Sequence, residues 1–282
     1  MALNLTIAAA ADFQKTWDDA ANRRITVFTT HGDIKLSGYD GKDIEISAVK
    51  KGPDSDKVEL QDTSLGNQIN IFSRPMEPGR NNATVDFEIR VPKEIFYDAA
   101  PGAKLQVEKF IISKSPSPKF PGEGTPIPPK PHTPPPLRGG GMHHAIYLRS
   151  GSGQITISDV AGSIRMETSG RNIEMRNVEG RLYASSAGGD IKVSLKQTSR
   201  SGVLQISSIS GNISVQAPDD ISAQVSIRSD SGQVKTDFPL EIKEMRYGPG
   251  KFILDKLGTG SRQIDIRSSF GAITFSKKPS EK

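Results

Sequence analysis

A nine-residue repeat constrains this chain more than any other feature. From Ser152 the sequence divides into five consecutive blocks: SGQITISDV, AGSIRMETS, GRNIEMRNV, EGRLYASSA and GGDIKVSLK. The fourth position reads Ile155, Ile164, Ile173, Leu182, Ile191, and the sixth reads Ile157, Met166, Met175, Ala184, Val193. Positions two apart share one face of a strand. The intervening fifth and seventh positions are polar or amphipathic: Thr156/Ser158, Arg165/Glu167, Glu174/Arg176, Tyr183/Ser185, Lys192/Ser194. Each block therefore predicts a half-buried strand preceded by a turn. Gly153, Gly162, Gly180 and Gly189 occupy the second position, and Gly170 comes one place early in the third block. Glycine there supplies positive φ or close backbone approach.

The ninth position reveals a longer unit. It reads Val160, Ser169, Val178, Ala187, so a large residue alternates with a small one. That pattern predicts an 18-residue coil of two strands, with equivalent strands stacked one coil apart. Glu174 then lies over Lys192, an opposite-charge rung worth about 0.2–1 kcal/mol, and Arg165 lies over Tyr183.

The pattern resumes after a short insertion, 197–201. In GVLQISSIS the inward places fall to Leu204, Ile206 and Ile209. Ile213/Val215, Val225/Ile227, Val234/Thr236, Ile264/Ile266 and Ile273/Phe275 continue it. The N-terminal part is looser. Ile34/Leu36 and Ile44/Ile46 follow glycines, and KVELQD, QINIFSR, TVDFEIRVP and KLQVEKFII read as strands. Only residues 11–23 suggest a helix. Between residues 113 and 145, ten of 33 residues are Pro, which excludes ladder strands and predicts an extended loop. The expected organisation is an N-terminal segment (1–23), a first β lobe (24–112), a Pro-rich flexible insertion (113–145), regular solenoid repeats (146–277) and a polar tail (278–282). The run SKKPSEK is suited to capping one end of the stack.

The strings HGDIKLSGYDG, SGSGQITISDVAGSIRMETSG, SAGGDIKVSL and LGTGSRQIDIRSSFGAITFSK resemble an adhesin-like family of unknown function, also known as autotransporter-adhesin head-like. Its marks are recurrent Ser-Gly-Asp-Ile units, a Val-Pro strand like Arg90-Val91-Pro92-Lys93, and a closing Gly-x-Gly element. The resemblance runs from Phe13 to Lys277 apart from the Pro-rich insertion. It implies a right-handed β-helix-like fold in bacterial envelope or secreted proteins, and it brings no catalytic residues with it. The start, MALNLTIAAAADF, has no basic residue ahead of its apolar run and so reads poorly as an export signal.

Composition narrows the functional classes. The chain has no Cys, which excludes disulfides and thiolate metal sites. Net charge is +5 with 37 basic and 32 acidic residues. The basic clusters Lys50-Lys51 and Lys277-Lys278 are short, unlike the basic stripe of a nucleic-acid protein. No run approaches the ~20 apolar residues of a membrane span. Period nine also belongs to calcium-binding repeats, but their Gly-Gly-x-Gly-x-Asp signature is approached only at Gly188-Gly189-Asp190. His31, His132, His143 and His144 form no chelating pattern. The acidic pairs Asp18-Asp19 and Asp219-Asp220 are adjacent in sequence, whereas glycosidase carboxylates face each other across a cleft. No Gly-x-Ser-x-Gly elbow or P-loop occurs. IPPKPHTPPPLRG has Pro-x-x-Pro spacing without the flanking basic residue of a docking ligand.

The expectation is an all-β, right-handed β-helix-like solenoid with a 9/18-residue repeat, interrupted by the Pro-rich loop. It has no catalytic, cofactor or metal residues, and its ligand-binding residues are unassigned. The expected role is that of a non-enzymatic adhesin-like protein of the bacterial cell envelope or exterior, the cytoplasm being the alternative location. It would present a surface to a glycan or an envelope protein. A self-assembling scaffold, associating through solenoid ends, is one alternative. A polysaccharide-active β-helix enzyme is another, but one Trp and five Tyr leave few sugar platforms.

Overall fold

Strands of this period stack into two sheets that face each other. The computed structural model describes residues 11–20, 23–79, 81–95, 145–197 and 201–279. Among them every regular element is a strand except one 3-10 turn at Ser55–Lys57. The fold is an all-β solenoid. No helix among the described residues is long and apolar enough to cross a membrane.

Sheet A contains, in spatial order, Phe13–Trp17, Ile44–Lys51, Thr84–Pro92, Ile34–Tyr39, Ile155–Ser158, the first part of Ile173–Ser186, Ile191–Leu195, Ile213–Ala217, Ile273–Lys277 and Val234–Thr236. Sheet B runs alongside as Val58–Asp62, Gln68–Pro75, Arg24–Thr29, Ile146–Ser150, Ala161–Thr168, the second part of Ile173–Ser186, Gly202–Ser208, Arg262–Ser268, Ala223–Ser229, Lys251–Leu257 and Lys243–Glu244. One coil contributes one strand to each sheet.

The 18-residue unit is seen directly. Ile155 pairs with Ile173 and Ile173 with Ile191 in sheet A. Ile146 pairs with Ile164 and Ile164 with Leu182 in sheet B. All these side chains are fully buried between the sheets. Burying each contributes about 1.5–3 kcal/mol, so the stacked columns supply the main driving force. The predicted registers also occur, with Glu174 over Lys192 and Arg165 over Tyr183. The Glu174 carboxylate, however, takes Arg176 on its own strand at 2.8 Å.

Three ladders close the corners. At the end of seven sheet B strands sits a buried hydroxyl: Thr29, Ser150, Thr168, Ser186, Ser208, Ser268 and Ser229. Ser150, Ser186, Ser208, Ser229 and Ser268 each accept the backbone N–H of the residue three further on, always a glycine. These glycines are required by close approach. A Cβ on Gly189 would lie 2.0 Å from the Arg171 carbonyl oxygen, and one on Gly211 would lie 2.0 Å from that of Gly189. Asp190 and Asn212 follow two of these glycines, and Asn172 holds the same place in the coil before. Each of these side chains accepts a backbone N–H from the following coil: Asn172 from Asp190, Asp190 from Asn212 and Asn212 from Ala272. At the opposite corner Asp159 and Asn177 adopt left-handed φ of 58° and 53°, a conformation these two residues tolerate. They turn Val160 and Val178 into the core, while the Asn177 amide donates to Asp159 at 2.7 Å.

Three expectations are corrected. Among the described residues of 11–23 there is no helix; Phe13–Trp17 is a strand antiparallel to Ile44–Lys51. Phe13 and Trp17, four apart, read as one helical face but equally share one face of a strand. Ile209 does not point inward. It follows the buried Ser208, in the place of the exposed Ser169 and Ala187, and is 54% exposed. The described start of the C-terminal run does not cap an end: Ser276 and Lys277 belong to Ile273–Lys277, which lies one coil inside the stack, between Ile213–Ala217 and Val234–Thr236. That end is covered instead by Phe238, stacked on Phe275 at 4.6 Å, and by buried Leu240. At the other end Lys15 and Asp62, on the outermost strand of each sheet, are bridged at 2.6 Å. The strand expected in KLQVEKFII, the Pro-rich insertion, His132, His143 and His144 lie outside the described residues.

Candidate functional site

Side chains that alternate away from the core line up across strands on the outer face of sheet B. One column runs Thr26, Tyr147, Arg165, Tyr183, Gln205, Asp265. Beside it run Phe28, Arg149, Glu167, Ser185, Ser207, Arg267. Neighbouring strands lie about 4.8 Å apart, so these residues form a continuous polar and aromatic strip.

Glu167 is the hub of the strip. Its Oε1 accepts both Nε and Nη2 of Arg165, at 2.8 and 2.6 Å, and its Oε2 accepts the Tyr147 hydroxyl at 2.8 Å. Burial pushes the carboxyl up, but the bonds from Arg165 and Tyr147 and the nearby guanidinium charges outweigh it and hold it below the ordinary value. The group is thus ionised near neutrality and poorly placed to donate a proton. Burial, together with the bond and charge of Glu167, pushes the Tyr147 phenol up to about 12. Burial likewise raises the Tyr183 phenol, against the opposing charges of Arg181 and Arg165. At the other end of the strip Asp265 accepts Arg267 at 3.0 and 2.8 Å, and that bond raises the guanidinium further.

Between these two ion pairs the second column dips. Ser185 and Ser207 are small, and Ser207 Oγ donates to Ser185 Oγ at 3.1 Å. They floor a shallow trough of about 340 Å³, with Arg149 and Glu167 at one end, Arg267 at the other and Ile209 along the corner side. The arrangement can bind through hydroxyls, a guanidinium and planar rings. It offers no activated nucleophile beside a base, the pairing that covalent catalysis needs.

The residues singled out in the sequence are scattered. The backbone carbonyl of His31 accepts Thr29 Oγ1 and the Val85 N–H. The carbonyl oxygens of Asp18 and Asp19 accept the Arg23 guanidinium, and Asp219 pairs with Lys277 at 2.5 Å. Gly189 is a close-approach corner, and the Asp190 carboxylate accepts the Asn212 N–H. Among the described residues no group of three His, Cys, Asp or Glu side chains is placed to hold a metal ion. Arg165, Glu167, Tyr183 and Ser185 were legible as outward positions. Tyr147, Arg149, Gln205, Ser207, Asp265 and Arg267 were missed as site residues. For four of them the signal was present: Gln205, Ser207, Asp265 and Arg267 alternate with the recognised inward residues Leu204, Ile206, Ile264 and Ile266.

Comparison with solved structures finds similar chains at low sequence identity. The chain is similar to a candidate cell adhesion protein from Clostridium sporogenes, at 11% identity and a TM-score of 0.47, with 94% of this chain and 98% of that one covered. A candidate adhesin from Bacteroides fragilis gives 11% identity and a TM-score of 0.36, with 94% and 96% covered. A candidate lipid-binding protein from Parabacteroides distasonis gives 12% identity and a TM-score of 0.25, with 95% and 96% covered. Among curated proteins none matches the sequence. Residues 143–276, the part that holds the regular coils and most of the outer strip, match the family model described as Toastrack DUF4097.

Proposed function

We propose that this protein is a non-enzymatic, adhesin-like β-solenoid of the bacterial cell envelope or exterior, and that it works by presenting the outer face of sheet B to a partner. The observation that carries this reading is the two-column strip from Phe28 to Arg267, in register over adjacent coils. Its two carboxylates, Glu167 and Asp265, are held by Arg165 and Arg267, an arrangement for recognition and not for proton transfer. The resemblance to autotransporter-adhesin heads, and a glycan or envelope protein as partner, belong to the same proposal.

The scaffold alternative has less support. Stacking through solenoid ends requires open strand edges, and at one end Phe238 and Leu240 cover the core. The test is binding of the purified protein to cell-surface fractions, with fractionation of the native cell. Retention on surface material with an envelope or external location is expected. Absence of binding together with a wholly cytosolic location overturns the proposal.

A further inference from the structure

We propose that the serine-floored trough on sheet B is a subsite for a carboxylated sugar, bound with its acid group on Arg149. This deepens the surface-binding reading above and rests on it.

The argument begins with Arg149. It faces outward and is exposed, on the strand between Phe28 and Glu167. Its neighbour Glu167 is already taken by Arg165 and Tyr147. Among the described residues Arg149 makes no ion pair; its guanidinium lies 5.7 Å from the centre of the Phe28 ring. The other arginine of the trough, Arg267, is held by Asp265. One end of the trough therefore carries a positive charge without a partner, fixed by an aromatic ring at its back. A carboxylate is the ligand group a guanidinium binds best, through two parallel hydrogen bonds.

The rest of the trough selects what bears that carboxylate. Ser185 and Ser207 present hydroxyls that donate and accept, suited to a ligand rich in hydroxyls. Ile209, 54% exposed on the corner side, offers an apolar surface for the C–H face of a sugar ring. Polar floor, apolar flank and one cationic end match the surfaces of an acidic sugar. Strands repeat about every 4.8 Å along the stack, so an acidic polysaccharide lying along the axis can extend onto Tyr183 and Tyr147.

The experiment is calorimetric titration of the full chain with oligogalacturonate and with the same oligomer methyl-esterified at its carboxyls. The wild type should bind the acid and lose at least roughly tenfold in affinity for the ester, as for removal of one charge-assisted bond. Arg149→Ala should lose a similar factor. Ser207→Leu, which fills the floor at an exposed position, should abolish binding, while Lys235→Ala on the outer face of sheet A should leave it unchanged. Circular dichroism of each variant reports folding separately, and Arg149→Lys keeps the charge but not the fork, so it should recover only part of the affinity. Equal affinity for acid and ester, or binding indifferent to Arg149→Ala and Ser207→Leu, overturns the trough as the site. If the wild type still binds cell-surface material in that case, the surface-binding proposal stands without it. If it binds neither oligomer nor surface material, the trough falls, and a wholly cytosolic location then overturns the surface-binding proposal as well.

Discussion

The middle of the stack and its two ends use the same strands under different rules of order. From Ile146 to Ala217 each coil follows the last in sequence and lies next to it in space, with inward residues stepping Ile155, Ile173, Ile191, Ile213. At the ends, sequence order and spatial order part. Arg262–Ser268 is inserted between Gly202–Ser208 and Ala223–Ser229, so the last coil of the chain is not the last coil of the stack. At the other end Arg24–Thr29 lies between Gln68–Pro75 and Ile146–Ser150, and antiparallel strands Ile44–Lys51 and Val58–Asp62 lie farther out. The middle is repetition. The ends are devices that stop it, because an uncapped parallel stack exposes edges able to pair with another chain.

The sharpest break of this comparison is Ile173→Asp. It places a carboxylate in a column buried from both sides, at an expected cost of about 4 kcal/mol or more. Its outward neighbour Glu174→Gln should cost less than about 0.5 kcal/mol. Urea unfolding that tolerates both equally would break the assigned register. Phe238→Ala tests the cap and should lower stability by about 3 kcal/mol. It should also speed hydrogen exchange in Val234–Thr236 before exchange in Ile191–Leu195; uniform exchange would mean that the ends are no softer than the middle.

Close approach between coils is tested by a neighbouring pair. Gly189→Ala meets the Arg171 carbonyl at 2.0 Å, whereas a Cβ at Gly188 comes no nearer than 3.8 Å to any atom. The first should cost about 1–3 kcal/mol and the second little, as read from thermal midpoints. Reversal would move the corner by one residue.

Tyr147 gives a pH test. Its phenol rises from 10.0 to about 12 in the folded protein, so folded chains hold the proton over that interval while unfolded chains lose it. The stabilisation is fully present below 10.0 and is lost as pH rises through about 12. Tyr147→Phe should flatten this part of the alkaline stability profile; an unchanged profile would place its source elsewhere. The smallest effect belongs to the bridge between the outermost strands of the N-terminal end. Lys15 and Asp62 are both partly exposed, so Lys15→Met should cost about 0.2–1 kcal/mol. Burial raises the Asp62 carboxyl, but the bonds from Lys15 and Ser64 prevail and lower it. The stabilisation is accordingly present above the ordinary carboxylate range and disappears as pH falls through the lowered folded value. A Lys15→Met difference that persists in acid would show that the bridge is not its origin.

The sequence by itself determined the strand period, the inward columns, the two-strand coil and the registers of Glu174 on Lys192 and Arg165 on Tyr183. These follow from alternation at two residues and return at 18, and both rest on local burial. Part of the candidate strip was readable in the same way, at Arg165, Glu167, Tyr183 and Ser185. Only the tertiary structure decided that Phe13–Trp17 joins sheet A, that Ile209 stays in solvent, and that the coil bearing Asp265 and Arg267 slots in beside Ser207. The physical reason is that every coil presents nearly the same apolar columns. Local pattern therefore says that a strand will stack, while its neighbour is chosen by the long-range pairing that leaves both ends of the core covered.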